Sequence, residues 1–239
     1  MKQLPYRLIE DDPNCPPMGL IVLETDETIE PEFKQEFADH PAPFYSNRIP
    51  SAADVTPDTL RSMEGHISAA AALLPKARRF AVVGYGCTSA SSIIGSHAVA
   101  ELIQETCDVA HVTDPLRAAI AYARHHHVRE LALVTPYVAE VNVPLMDGFA
   151  QAGLNLRTSG SFSIAQEAAV VRIDPEAIYA AALELGRDPK VEGVFLSCTN
   201  LRTAGVRARL QDQLGKPVFS SNSALAWHMK QLWHEVADP

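Results

Sequence analysis

The sequence predicts an α/β fold of parallel sheets flanked by helices, and three observations carry that expectation. Apolar, β-branched runs alternate with longer helical stretches along the 239-residue chain, the pattern of strand–helix crossover units. Two of the runs, Phe80-Ala81-Val82-Val83-Gly84 and Leu131-Ala132-Leu133-Val134-Thr135, are almost wholly apolar, as strands covered by helices on both faces must be. At Thr56-Pro57, Asp114-Pro115 and Asp174-Pro175 a capping side chain stands just before a proline, which marks a helix start.

Taken in order, residues 18–23 form a first apolar strand and 44–49 a second, and the Thr56 cap opens a helix over 56–74. A strand over 80–84 leads to a helix over 92–105, then a short strand over 110–112. The Asp114 cap starts a helix over 115–126 and marks the crossing from one half of the chain to the other. A strand over 131–135, a helix over 143–152 and a strand over 154–158 follow. Past them come a helix over 175–185, a strand over 193–197, a helix over 201–214, a strand over 217–220 and a final helix over 223–233. The run His125-His126-His127 falls at a helix end, where cationic side chains suit the dipole. Consecutive helical residues point in different directions, which disfavours a metal site there.

Bulk composition narrows the function. The apolar fraction of 47% and charged fraction of 21% are those of a globular protein. No apolar run reaches the ~20 residues of a membrane span, and the first residues lack the apolar core of an export signal. A cytoplasmic protein without membrane partners is expected. The net charge of −9, with no basic stripe to offset it, argues against nucleic acid as a partner. The helix carrying Trp227 and Trp233 would serve equally as core or as a homo-oligomer contact.

Cysteine spacing is the informative feature. Cys15, Cys87, Cys107 and Cys198 form no CxxC pair and no zinc spacing, so neither a metal nor a disulfide framework is expected. Cys107 reads as a small buried hydrophobe, and Cys15, in a Pro-rich lead-in, says little. Cys87 and Cys198 are different. Phe80-Ala81-Val82-Val83-Gly84-Tyr85-Gly86-Cys87-Thr88-Ser89 is a strand running into a polar turn headed by cysteine. Val194-Phe195-Leu196-Ser197-Cys198-Thr199-Asn200 repeats that shape further along. Open α/β sheets bind ligands at the carboxyl ends of their strands, where helix N-termini offer free N–H groups to an anion. Two such units facing each other across a cleft would put Cys87 and Cys198 on opposite sides of one ligand.

Thiols suit that placement. A thiolate is both nucleophile and base, and a helix N-terminus lowers its pKa. Two thiols flanking one carbon allow a proton to leave one face and return on the other. The carbanion or enediolate formed needs preorganised donors, which Thr88, Ser89, Thr199 and Asn200 can supply. Set against this is the plainer reading of two packed cysteines.

The segments Tyr-Gly-Cys-Thr-Ser-Ala-Ser at 85–91 and Leu-Ser-Cys-Thr-Asn-Leu-Arg-Thr at 196–203 resemble the two cysteine motifs of maleate cis-trans isomerases. They are also similar to those of other members of the aspartate/glutamate racemase superfamily, among them arylmalonate decarboxylases and an ectoine-utilisation protein. Residues 18–33, 133–142 and 217–228 extend the resemblance from end to end. It implies two similar α/β lobes, with the active site in the cleft between them. Residues 1–114 plus 217–239 would form the lobe carrying Cys87, and 115–216 the lobe carrying Cys198. It also implies no metal, flavin, nicotinamide or pyridoxal cofactor, and a small carboxylate as substrate. Cys87 would be the nucleophile or base, Cys198 the opposing acid/base, and Tyr137 a carboxylate ligand.

Two departures bear on the substrate. Asp26 stands where the resemblance implies a substrate-binding asparagine, and Gln166 and Glu167 stand where it implies a second. An ionised carboxylate cannot donate a hydrogen bond to another, and like charges near 4 Å repel by about 1 kcal/mol in water and more inside a site. A substrate with one carboxylate and an amine or amide suits Asp26 and Glu167 better than a dicarboxylate, although both also fit as solvated loop charges. The expectation is therefore a cofactor-independent isomerase, either racemase or cis-trans isomerase, of a small carboxylate or amino-acid derivative. The alternatives are an arylmalonate-type decarboxylase, which would need only one cysteine, and a non-catalytic carboxylate-binding protein.

Overall fold

The computed structural model describes residues 1–237. Its first sheet holds β1 (Met18–Leu23), β2 (Phe44–Ile49), β3 (Phe80–Gly86) and β4 (Val109–Thr113), in the order β2-β1-β3-β4. The second holds β5 (Glu130–Thr135), β6 (Asn155–Ser161), β7 (Gly193–Leu196) and β8 (Val218–Ser220), in the order β6-β5-β7-β8. Every strand pair is parallel. The unbroken apolar runs of β3 and β5 sit next to the middle of their sheets and are buried along nearly their whole length. Edge strand β6 alternates exposed and half-buried residues, as a strand with one wet face does.

The helices follow their strands: α1 (Ile29–Glu36), α2 (Pro57–Ser62), α3 (Glu64–Ala71), α4 (Thr88–Ile94), α5 (Ser96–Gln104) and α6 (Pro115–His125) precede the second sheet. Within and after it come α7 (Ala139–Gln151), α8 (Glu167–Val170), α9 (Pro175–Gly186), α10 (Ala204–Leu214) and α11 (Ser221–Ala237). The caps are where the proline steps put them. Thr56 forms a reciprocal capping box with Thr59, Asp114 accepts from the Leu116 and Arg117 amides, and Asp174 accepts from that of Glu176. The histidine run ends α6, with His127 in the left-handed region at φ 57°.

Several expectations need correction. The helix expected over 56–74 breaks into α2 and α3. The one expected from residue 92 begins at Thr88 and breaks at Gly95, whose φ of 97° a side chain would resist. Helix α7 starts at Ala139 and carries Pro144 inside it, and α10 starts only at Ala204. Helices α1 and α8 were not expected. The last strand belongs to the second sheet, because β8 pairs with β7, and not to the lobe of residues 1–114. Residues 238–239 of that expected lobe lie outside the described residues.

Helix α11 does return to the first sheet. A Cβ on Gly84 of β3 would meet Met229 Sδ of α11 at 2.7 Å, so glycine is what lets the helix lie so close. The Trp227–Trp233 face proves to be mostly packing: Trp233 is buried and donates its indole N–H to Pro16 O at 2.8 Å, and Trp227 stacks edge-on to Tyr122. Among the described residues no helix is long and apolar enough to cross a membrane.

Candidate active site

The residues singled out in the sequence converge where the strands of both sheets end. Asp26 follows β1, Cys87 follows β3, Tyr137 follows β5 and Cys198 follows β7. Cys87 is the N-cap of α4, and its Sγ accepts from the Ala90 amide at 3.4 Å and lies 3.6 Å from Ser89 Oγ. The geometry at Cys198 is not a copy. No helix begins beside it, and its φ is +117°, a conformation costing a non-glycine residue about 1–3 kcal/mol.

What holds that strained turn is a third strand end that sequence reasoning missed. Ser221, at the start of α11 just after β8, accepts the Cys198 amide at 2.9 Å and the Thr88 hydroxyl at 2.8 Å. One buried hydroxyl therefore joins the two cysteine turns. Thr199 Oγ1 adds a bond to Gly86 O at 3.3 Å. Asn222 donates to Thr199 O at 2.8 Å and to Glu32 Oε2 at 2.9 Å, while Glu32 Oε1 accepts from the Thr203 and Ala204 amides. The polar run Ser220-Ser221-Asn222-Ser223 after an apolar strand was the available signal; nothing in the sequence marked Glu32.

Asn200 is spent on structure. Its Oδ1 accepts the Glu27 amide at 2.9 Å, and its amide group donates to Glu167 Oε2 at 3.1 Å and Thr25 O at 3.4 Å. It ties the loop after β1 to the second sheet's side of the site. Asp26 Oδ1 accepts the amides of Thr28 and Ile29, both at 2.8 Å, and so holds the start of α1. Its other oxygen, Oδ2, is buried with no partner among the described residues. Gln166, by contrast, forms an isolated bridge with Asp54. Tyr137 is buried, with its hydroxyl facing Cys198 and favouring that thiol's anion.

The electrostatics overturn one expectation. The α4 N-terminus was expected to lower the Cys87 pKa. Burial instead pushes it from 9.0 to about 12, with the carboxylates of Glu167 and Asp26 adding to the rise against the Ala90 amide and Ser89. Burial likewise raises Cys198 well above the ordinary range, Glu167 again contributing. Asp26 and Glu167 are themselves raised, chiefly by burial, Glu167 further by Asp26. A helix N-terminus supplies a fraction of a charge, and complete removal from water outweighs it. Both cysteines are neutral thiols at neutral pH. Cys15 and Cys107 are free as well, Cys107 buried as expected, and no group of three or more His, Cys, Asp or Glu among the described residues could hold a metal ion.

The chain thus sets two parallel sheets side by side, each with a cysteine turn at its carboxyl edge, and comparison with known proteins gives its family. A family model described as arylmalonate decarboxylase matches residues 18–237, and the chain belongs to that family. A maleate isomerase of Alcaligenes faecalis is 26% identical over 230 residues, covering 90% of this chain and 88% of the relative. The arylmalonate decarboxylase of Bordetella bronchiseptica is 30% identical over 106 residues, 44% of each chain. Among solved structures, a Nocardia farcinica maleate cis-trans isomerase variant superposes with a TM-score of 0.78 at 24% identity. The match covers 91% of this chain and 92% of that one, and the variant holds a covalently bound succinylcysteine intermediate. The relatives are thus enzymes of two kinds, isomerases and decarboxylases, within the superfamily that the two cysteine motifs resemble.

Proposed function

We propose that the protein is a cofactor-independent isomerase, a racemase or a cis-trans isomerase, of a small carboxylate or amino-acid derivative, acting through Cys87 and Cys198. The observation that carries this reading is the pairing of the two cysteine turns through Ser221, with Tyr137 close to both thiols. One-sided protonation, as in a decarboxylase, has no use for a second thiol so placed. In a racemisation, one cysteine as thiolate takes the α-proton while the other, as thiol, delivers a proton to the opposite face. In a cis-trans isomerisation, Cys87 sulfur bonds to one alkene carbon and the neighbouring carbon gains a proton. Rotation about the new single bond follows, and loss of the same proton and the sulfur restores the alkene. The covalent succinylcysteine of the Nocardia farcinica enzyme is support by likeness for the second route.

The substrate class follows from charge. Asp26 and Glu167 lie close enough to the thiols to raise both, and Arg48, which acts on Asp26, does not offset that charge at Cys87, Cys198 or Glu167. A substrate bearing an ammonium or amide beside its carboxylate would satisfy these acids and Asp26 Oδ2. Its positive charge would also make thiol ionisation easier. Proton NMR in D2O with aspartate, glutamate, N-acetyl diamino acids, maleate and an arylmalonate tests the proposal in one assay, since it reports α-deuterium exchange, isomerisation and CO2 loss. Cys87→Ser and Cys198→Ser should each abolish net turnover. Full activity in both variants would end the assignment, and CO2 loss that persists in Cys87→Ser would place the protein with the decarboxylases. No turnover of the panel, with tight binding of one of its carboxylates, would favour a binding protein.

A further inference from the structure

Glu32 is a half-buried carboxylate that the proposed chemistry does not use, yet both of its oxygens are engaged. It stands on α1, which Ile29 and Phe33 fix against the first sheet, while its bonds run to the chain after β7 and to α11. Oε1 accepts the Thr203 amide at 3.3 Å and the Ala204 amide at 3.2 Å. Oε2 accepts from Asn222 Nδ2 at 2.9 Å. Thr203, the N-cap of α10, makes no side-chain cap bond of its own. A carboxylate from the first sheet therefore caps that helix, where an anion is favoured.

Asn222 passes the contact on. Its Nδ2 also donates to Thr199 O at 2.8 Å, which spends both amide hydrogens. Its Oδ1 is buried without a partner among the described residues, so no donor on that side sets which way the amide faces. Turned over, the amide would put its oxygen against Glu32 and against Thr199 O, acceptor against acceptor. Thr199 follows Cys198 directly, and Cys198 is held at φ +117°, a conformation that persists only where its surroundings fix it. One carboxylate thus grips both ends of residues 199–204, one end through Asn222 and the other directly.

We propose that Glu32 is a positioning residue for Cys198, holding through the Asn222 amide the turn that sets the thiol's place; this rests on the reading of Cys198 as an acid/base. The carboxylate is needed because both oxygens face N–H donors. An amide has one acceptor, and in Glu32→Gln that acceptor can serve the two backbone N–H groups or Asn222 but not both. The backbone groups cannot turn, so Asn222 does, and Thr199 O loses its donor. Glu36, one turn further along α1, is the internal control. It pairs with Arg207 of α10 at 3.2 Å and Lys230 of α11 at 3.4 Å, joining the same three helices away from the turn.

Iodoacetamide labelling of the resting protein at about pH 9, read by peptide mass spectrometry at Cys198 relative to Cys87, tests this without any substrate. A released turn opens more often, so Glu32→Gln and Asn222→Ala should each raise the Cys198-to-Cys87 ratio by about tenfold. Glu36→Gln should leave it within about twofold. Adding Glu32→Gln to Asn222→Ala should raise the ratio no further, since the path is then already cut. On a panel substrate that is turned over, Glu32→Gln should lower kcat by about tenfold or more and leave KM within about twofold. An unchanged labelling ratio or an unchanged kcat in Glu32→Gln would overturn the proposal. So would the same rise in Glu36→Gln, or a further rise in the double variant, which would report the lost charge and not geometry. A wild-type protein that turns over none of the panel but labels as described counts against the isomerase reading and leaves the placing of Cys198 by Glu32 intact.

Discussion

Alkylation of the two buried thiols tests the electrostatic description of the site most directly. Only the thiolate reacts, and raising Cys87 from 9.0 to about 12 makes ionisation about 4 kcal/mol more costly than for an ordinary thiol, at about 1.4 kcal/mol per tenfold. Near neutral pH the Cys87 thiolate fraction is then about a thousandth of that of an ordinary thiol. The assay is iodoacetamide labelling followed by peptide mass spectrometry at Cys87 and Cys198, with N-acetylcysteine as the reference. The Cys87 rate should climb about tenfold for each pH step of one and show no plateau below about pH 11. Poor access lowers the whole curve but cannot create that slope. The charge contribution is separable: Glu167→Gln should speed Cys198 labelling under alkaline conditions, where Glu167 is ionised. A unit charge roughly 10 Å away at an effective dielectric near 20 is worth about 1.7 kcal/mol, a change of about 15-fold. A rate that levels off below about pH 8 would refute the reasoning, since it would mean that the resting thiols are already activated.

Ser221→Ala removes the acceptor shared by the Cys198 amide and the Thr88 hydroxyl. It should cost about 1–3 kcal/mol of stability and lower kcat more than it raises KM, read by thermal melts beside steady-state kinetics. The buried carboxyls set a pH trend. Asp26, Glu32, Asp114 and Glu167 all have raised folded-state pKa values, so the folded chain holds their protons more tightly than the unfolded chain does. Their contribution is full below the ordinary carboxyl range and is lost as pH rises through the raised values. His40, His126 and His228, whose folded-state pKa values burial lowers, act in the opposite sense, so the test is comparative: by calorimetry, Asp26→Asn and Glu167→Gln should each make Tm fall less, or rise more, than the wild type's as pH increases above the ordinary carboxyl range.

Strands were the legible part of this fold, because a run such as residues 80–84 or 131–135 has no other stable home than a buried parallel sheet. Helix α1 was not legible, since Glu30, Pro31, Glu32 and Lys34 mask a stripe anchored by only two buried residues, Ile29 and Phe33. The sheet to which β8 belongs could not be read at all: three residues pair with β7 across a long stretch of intervening chain, and local sequence carries no information on that partner. The cysteine turns were found because the same strand running into Cys-Thr occurs twice in the chain. Their partners Ser221, Asn222 and Glu32 were not, because they act through tertiary contacts. Burial was equally invisible, and it reverses the sign of the thiol pKa shift: capping is written in the sequence, but the exclusion of water is a property of the assembled lobes.

That exclusion makes the pH dependence of substrate affinity diagnostic on the proposed reading. Cys87, Cys198, Asp26 and Glu167 can all become negative, and each opposes the ionisation of the others. A dicarboxylate adds two negative charges to this group, so Asp26 and Glu167 must take up protons for it to bind. Its affinity should therefore rise as pH falls through the raised carboxyl range. A substrate with an ammonium beside its carboxylate gains from the ionised acids, so its affinity should rise with pH through the same range and level off once both acids are charged. Titration calorimetry with the Cys87→Ser variant, which binds without turning over, separates the two cases using maleate and aspartate as probes. Maleate binding that, once corrected for maleate's own second ionisation, strengthens with rising pH would remove Asp26 and Glu167 from the substrate's surroundings, because no ionised carboxyl so near two buried acids could be indifferent to their charge.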